Sequence, residues 1–527
     1  MWHVERNHVK ILKNRDDRGR TTPSVVHFKP DSQEVVVGNA AIAREYDPPG
    51  NTVRTIKRLM GQRFDSDAVR VAKRFATHSI VETKQGNAAV SVKRSGQDAV
   101  DVQPEEVSSH VLMELKASAE AYWDDERVDN VVITVPAYFN DSQRKATILS
   151  AQMAGFKAIR LLNEPTAAAM AYGLFLSGQK HVVVFDFGGG TLDVSLLSIN
   201  DGRFEVLGIG GDTNLGGEDI NDLVVGHVVD MLHQQHGLTR NDLSRSDLIQ
   251  IKRETEKAKV ELSSEESIAI ELKGIGKKKQ AYKIKLTRPA FEKICASIWS
   301  RCLVIVTDVL EEAGVHTSDI DEVIMVGGST RIPIVRAKVS EFFDNKELCL
   351  SVNADEVVCE GAAIQAAILS GLDKRIFRDV LMMDVLPLPI GLEKADGEME
   401  ILLPKNSRIP VTMTKYFETF EDDQRGLTVQ VYEGENAVAQ ENDHICDFNF
   451  PIPRDKIGKA GEFKHPVTFT MNASGVLQVT AGIHHDSEET PMSLTSLILM
   501  ATYIVVLFAL YVYLRITFAE ERDITSP

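Results

Sequence analysis

One stretch constrains this chain more than any other. Residues 182–199 read VVVFDFGGGTLDVSLLSI, two apolar runs joined at three consecutive glycines, with Asp186 before the turn and Asp193 after it. In the second run Leu192, Val194 and Leu196 alternate with Asp193, Ser195 and Leu197, the period of two that sends successive side chains to opposite faces of a strand. Two strands joined by a tight glycine turn are therefore expected. Without a Cβ, Gly188, Gly189 and Gly190 let backbone N–H groups approach an anion, and Thr191 adds a hydroxyl. Asp186 and Asp193 suit Mg²⁺, or its water shell, beside a phosphate. The segment is neither a GxxxxGK[ST] loop nor a GxGxxG turn opening a helix, so these residues alone leave a plain glycine hinge as the other reading.

A second glycine site follows at 323–333, VIMVGGSTRIP, where a buried strand runs into Gly327 and Gly328 and then a polar turn with Arg331. A planar base or ribose can lie on such a backbone with the guanidinium stacked on it, and an ordinary strand-to-helix turn is the alternative. Up to about Gly371, short β-type runs (131–135, 182–187, 323–326) alternate with helical ones (142–154, 221–236, 246–262, 288–313, 354–369), the mark of α/β construction. After Asp384 proline and glycine become frequent, and LTVQVYEG, VTFTMNA and GVLQVTAG alternate as the strands of a small all-β domain do. The segment RDVLMMDV joins the two regions.

A chain of 527 residues exceeds what one core organises, so about two to four domains are expected. Its formal charge of −17 argues against nucleic acid as a partner. Five cysteines with no CxxC pair read as buried thiols in a reducing compartment. The charged N-terminus lacks the apolar core of a secretory leader. Residues 497–514 carry no charge, and the uncharged stretch reaches back to Ser493. As a helix, 493–514 would span roughly 33 Å, the thickness of a bilayer's hydrocarbon core. A single C-terminal membrane anchor is expected, with a short polar tail at 515–527 and the soluble part in the cytosol, at the endoplasmic reticulum or the mitochondrial outer membrane.

The stretches RTTPSVV, VVITVPAYFNDSQRKAT, LLNEPTAAAMAYG, VVVFDFGGGTLDVS, GDTNLGGEDI, VIMVGGSTRIP, NADEVVCEGAAIQAAILSG, DVLMMDVLPLPIGLE and VQVYEGE, in this order, resemble the heat-shock 70 kDa chaperone family from about Arg20 to about Gly482. The resemblance implies an α/β actin-like two-lobed ATPase domain (1–374), a linker (375–384) and an all-β sandwich that clasps extended apolar peptides (385–486), here followed by a single transmembrane helix. It implies ATP/ADP and Mg²⁺ as cofactors, with unfolded polypeptides, J-domain co-chaperones and nucleotide exchange factors as partners.

Residue by residue, Asp186, Gly188, Gly189, Gly190, Thr191 and Asp193 resemble the family's second phosphate loop and magnesium-side carboxylates. Glu164 resembles the cleft acid, and Lys73, after a one-residue gap, the catalytic lysine. Gly216 and Gly217 fall in the matching GDTNLGGEDI. Glu256, Lys259 and Ser263 resemble the helix that holds adenosine, with Gly327, Gly328, Ser329, Arg331 and Asp355 the opposite wall. Pro136 and Arg144, with Asp379 and Asp384 of the linker, match the relay of nucleotide state. Leu392, Phe417, Leu427 and Val429 resemble the apolar peptide pocket, with Ala395 and Phe420 at the arch over it; plain sandwich core is the alternative for Phe417 and Val429.

Three departures stand out. The first glycine is Gly19, and nothing before RTTPSVV resembles the family's Gly-Thr-rich first phosphate loop, which supplies an aspartate toward magnesium and threonines toward the phosphates. Val260 stands where the family usually has an arginine stacked on adenine. A membrane segment replaces the helical lid, so peptide exchange should be fast. Two functions are thus expected in competition: an ATP-regulated, membrane-anchored chaperone, and an impaired relative that binds ATP without hydrolysing it and serves as a scaffold.

Overall fold

The computed structural model describes residues 2–3, 8–15, 19–74, 76–124, 126–173, 178–372, 377 and 380–481. The glycine hairpin forms as its alternation requires. Strands Gln179–Phe187 and Leu192–Asn200 pair antiparallel with Asp186 directly opposite Asp193, so both carboxylates leave the sheet on one face next to the turn. Strand Glu322–Val326 runs parallel along the other side of Gln179–Phe187, with Val326 level with Asp186. That register brings the second glycine site to the end of the sheet where the first one lies. Strands Arg203–Asp212, Leu381–Val385 and Arg408–Ile409 complete a six-stranded sheet.

Alternation along the hairpin builds two cores. Val183, Phe185, Phe187, Leu192, Val194 and Leu196 pack with helices Gly217–His236, Arg245–Glu261 and Ala296–Ala313. Val182, Val184, Leu197 and Ile199 pack on the opposite face with Ala168 and Ala169 of helix Glu164–Gly173. A register shift between Leu196 and Leu197 marks the change of pairing with Arg203–Asp212. Burying the sheet on both faces holds the turn rigid at its edge, since each fully buried aliphatic or aromatic side chain contributes about 1.5–3 kcal/mol.

A parallel pair, Asn130–Val135 and Ala158–Asn163, delivers the other half of the site. Helix Asp141–Met153 follows the first strand and is closed by a capping box, Gln143 N–H to Asn140 Oδ1 at 2.9 Å and Asn140 N–H to Gln143 Oε1 at 3.0 Å. Helix Glu164–Gly173 begins directly after the second strand, which sets Glu164 at its first turn. Against it lies helix Val357–Leu369, so close that a Cβ on Gly361 would stand 1.8 Å from the Ala167 carbonyl oxygen.

The helical run expected over 288–313 is two helices, Arg288–Ile294 and Ala296–Ala313. The Trp299 indole donates to the Glu292 carbonyl at 3.0 Å, the acceptor that an unbroken helix would offer to the Ala296 N–H. Of the five cysteines expected to be buried thiols, Cys295 and Cys302 are, and burial pushes both up to about 12; Cys349 and Cys446 are half-buried and Cys359 is exposed.

By backbone proximity the chain divides into two units. The larger comprises Met1–Met413, Thr428–Asn449 and Phe469–Gln478; the smaller comprises Thr414–Leu427, Phe450–Thr468 and the residues from Val479. The expected boundary at 385 thus falls inside the larger unit. Beyond it the chain forms a four-stranded sheet in the order Met399–Leu403, Ile390–Glu393, Gly426–Glu433, Asp443–Pro451, and a three-stranded one in the order Val411–Glu418, Lys464–Met471, Leu477–Ala481. No helix among the described residues is long and apolar enough to cross a membrane, and the segment expected to do so, 493–514, lies outside them.

Candidate active site

The turn between the hairpin strands has an unusual division of its polar groups. Gly188 N–H closes on Thr191 O at 3.0 Å. All three glycine carbonyls are held by other elements. Gly188 O accepts from Gly217 N–H (3.0 Å) and Ser329 Oγ (2.8 Å), Gly189 O from Glu218 N–H (2.8 Å), and Gly190 O from Arg58 Nη2 (2.9 Å). The N–H groups of Gly189, Gly190 and Thr191 meet no acceptor among the described residues. A loop with its oxygens tied back and its N–H groups free is a cradle for an anion. None of the three glycines takes a positive φ. Their use is open approach: a Cβ on Gly189 would meet nothing within 4 Å, and a cavity of about 590 Å³ lies against Gly189, Gly190 and Lys57. Gly216 and Gly327 are glycine for the opposite reason. A Cβ on Gly216 would stand 2.6 Å from Gly189 O, and one on Gly327, at φ 82°, 2.4 Å from Phe187 O.

Behind the cradle lies a knot of charge. Asp186 and Asp193 are buried, Asp193 with 1% of its surface exposed. Asp193 Oδ1 accepts from Tyr138 N–H at 3.1 Å, while its Oδ2 is buried without a partner. Burial, then the negative charge of Glu164, pushes Asp193 up to about 7, against the pull of Tyr138 N–H, Lys57 and the Thr191 hydroxyl. Asp186 is raised strongly by burial and by the charges of Glu164 and Asp193. Lys57 Nζ bonds Glu164 Oε1 at 2.7 Å; burial pulls its ammonium down, but Glu164, Asp193 and Asp186 together hold it above the ordinary value. Two buried carboxylates repelling each other, one with an orphaned oxygen, fit a divalent cation. Among the described residues no group of three or more His, Cys, Asp or Glu is arranged to hold a metal ion directly.

Lys73, expected as the cleft lysine, stands elsewhere. It ends helix Asp67–Lys73 with its ammonium 3.1 Å from the centre of the Phe64 ring. Lys57, in the short turn Ile56–Leu59, occupies the cleft instead. Three residues of this site were absent from the sequence-based set: Lys57, Arg58 and Asp219. The available signal was a basic pair inside an apolar run, TIKRLMG, since a charged pair flanked by buried Ile56, Leu59 and Met60 has to face something polar.

The second glycine site makes the opposite wall. Ser329 spends its hydroxyl on Gly188, and Arg331 pairs with Asp355 at 2.6 Å. Lys259, on helix Arg245–Glu261, donates to Gly217 O at 3.1 Å and is lowered by burial, against the nearby Glu218 and Glu256. Glu256 lines a small polar cavity with Arg54, Arg58 and Glu218. Ser263 lies just past the helix, and Val260 is 63% exposed on it.

A hydrogen-bonded path leaves the carboxylates. Pro136 is buried beyond strand Asn130–Val135. Arg144, also buried, donates to Phe139 O (2.9 Å), Ala137 O (3.0 Å), Asn163 Oδ1 (2.9 Å) and Ser474 O (3.3 Å). Asn163 Nδ2 and Thr166 Oγ1 then donate to Asp384 Oδ2 at 2.9 and 3.2 Å. Asp384 is raised by burial, against the Val385 N–H and Arg144. Asp379 lies outside the described residues.

The family model for the Hsp70 protein matches residues 3–497. The chain belongs to the Hsp70 family. It is 39% identical over 486 residues to a heat shock cognate HSP70 protein of Trypanosoma brucei brucei, covering 91% of this chain and 71% of that one. It is 40% identical over 481 residues to a heat shock 70 kDa protein of Neurospora crassa, covering 90% and 72%. An Hsp70 chaperone with an ATPase region and a β-sheet-rich region accounts for both textures of the sequence.

Of the expected peptide-pocket residues of this Hsp70, Leu392 and Val429 are buried on strands of the larger unit, and Ala395 is exposed in the turn after Ile390–Glu393. In the smaller unit Leu427 is buried, Phe417 is half-buried, and Phe420 is 83% exposed.

Proposed function

We propose that this Hsp70 binds ATP with Mg²⁺ between its two glycine sites, hydrolyses it, and uses the nucleotide state to control its hold on extended apolar segments of unfolded polypeptides. The observation that carries this reading is the cradle with its N–H groups free, set against Lys57, Glu164, Asp186 and Asp193. Phosphoryl transfer needs positioning and charge neutralisation more than covalent help. The free N–H groups would take phosphate oxygens. The carboxylates Asp186 and Asp193 would hold the hydrated Mg²⁺, which when bound supplies positive charge at the phosphates. Lys57 brings a cation to the transferring group, and Glu164 keeps Lys57 charged and aimed. Gly327, Gly328 and Arg331 offer the adenosine a flat wall. Exposed Phe420 suits an arch over a bound peptide, and extended peptides bond to backbone groups of strands.

Val260, an exposed apolar side chain where an arginine would add stacking, should weaken ATP binding, and binding with little hydrolysis is the competing reading. ATP turnover of the purified full chain, with and without a J-domain protein and an unfolded peptide, separates the two. Turnover stimulated by both supports the first; tight ATP binding with no turnover leaves the second. We further propose that 493–514 tethers the protein to a membrane with its soluble part in the cytosol. Resistance to alkaline carbonate extraction, with the soluble part open to protease in intact microsomes or mitochondria, is the expected result. Release into the carbonate supernatant would end that part of the proposal.

A further inference from the structure

The phosphate cradle and the cleft lysine come from different parts of the larger unit, and a single side chain joins them. Arg58 follows Lys57 directly and is 8% exposed. Its guanidinium forks onto the Asp219 carboxylate, Nη1 to Oδ1 at 3.1 Å and Nη2 to Oδ2, and Nη2 also donates to Gly190 O at 2.9 Å. Asp219 in turn accepts from Gly216 N–H at 2.7 Å, at the start of helix Gly217–His236. Glu218, one residue earlier, donates its N–H to Gly189 O. Arg58 therefore touches the last carbonyl of the cradle, the helix start that holds the other two, and, through the chain, Lys57.

We infer that Arg58 and Asp219 form a positioning clamp that fixes the N–H face of Gly189–Thr191 and the ammonium of Lys57 in one frame, making this pair a determinant of triphosphate affinity and turnover. A planar guanidinium grips the carboxylate with two parallel N–H groups and reaches the carbonyl in the same fixed frame; a lysine, a point charge on a flexible stem, can donate to both but cannot reproduce that bidentate geometry. Released from the clamp, Gly190 O is free to turn, and with it the adjoining N–H groups. Neither residue needs to touch the ligand. The adenosine wall is built from 327–331 and helix Arg245–Glu261, and among the described residues neither the Arg58 nor the Asp219 side chain makes a hydrogen bond to either.

This inference rests on the proposed ATP reading, and its test keeps the two apart. The full-length protein and its Arg58→Lys, Asp219→Asn and double variants are compared for affinity to ATP and to adenosine, for kcat, and for the melting temperature without nucleotide. Each single variant is expected to melt near the parent and to bind adenosine as the parent does. Each should lose about tenfold or more in ATP affinity and in kcat, the double variant being little worse than either single one, as two members of one unit behave. Parent-like ATP affinity and kcat in Arg58→Lys, or equal losses for ATP and adenosine, would overturn the clamp while leaving the ATP reading intact. A parent protein that binds no ATP would overturn both. Should Arg58→Lys melt early, Asp219→Asn alone decides by its ATP-to-adenosine ratio.

Discussion

Lys57 and Lys73 are sixteen positions apart in one basic, apolar stretch, and only geometry tells them apart. Lys57→Met should cut ATP turnover by about 100-fold or more in a steady-state assay, since it removes the cation facing Glu164, Asp186 and Asp193. Lys73→Met, which loses only a contact with the Phe64 ring, should stay within about twofold. The glycines divide in the same way. Gly327→Ala drives a Cβ into the Phe187 carbonyl at a positive φ, and a loss of about 2 kcal/mol or more in denaturant unfolding is expected. Gly189→Ala meets open space and should leave unfolding unchanged while blocking the anion's approach, which a nucleotide-binding titration would register.

At the scale of elements, helix Asp141–Met153 receives two later strands through buried acids. Asp141 N–H donates to Glu433 Oε2 at 2.8 Å, and Leu477 N–H to Asp141 Oδ1 at 2.9 Å. Burial pushes Glu433 up to about 8; Asp141 and Asp443 add to the shift, while the Asp141 N–H and Arg144 oppose it. An unfolded glutamate releases its proton near pH 4.3, so between about pH 4 and 8 the folded state binds more protons than the unfolded one. Stability from this group is therefore greatest in acid, falls as pH rises through that window with a slope of order 1 kcal/mol per unit, and levels off above about 8. Melting temperatures from pH 5 to 8 should fall less steeply in Glu433→Gln than in the parent. Parallel slopes would mean that Glu433 stays ionised. The alternation of LTVQVYEG puts Glu433 on the face of Leu427, Val429 and Val431, all buried, but names neither the helix that covers it nor the Asp141 N–H that it accepts from.

For the molecule as a whole, most of the ATPase architecture was legible. The short β-type runs at 131–135, 182–187 and 323–326 are strands, and the longer runs between them are helices; near-continuous apolar strands belong to a sheet covered on both faces. The break at Cys295 was not legible, since it depends on one indole reaching one carbonyl. Lys57 was missed for a related reason: a side chain's partners lie 107 or more positions away, and local pattern carries no such distance. Arg144, in contrast, was identified from its motif, and its four acceptors give it a physical role. The path from Arg144 through Asn163 to Asp384 predicts that Asp384→Asn will weaken peptide stimulation of ATP turnover about tenfold and leave the unstimulated rate nearly unchanged, measured on the full chain. Loss of both rates together would place Asp384 in folding, not in communication.

The turn at 188–191 has a consequence for hydrogen exchange. With its carbonyls all engaged and the N–H groups of Gly189, Gly190 and Thr191 unclaimed, these three amides should take up deuterium quickly in the empty protein, although the strands on either side are among its most buried. When an anion settles there, the same amides should become slow, a spot of new protection three residues wide. In a spectrum of the whole chain, that small patch would report cleft occupancy without any label.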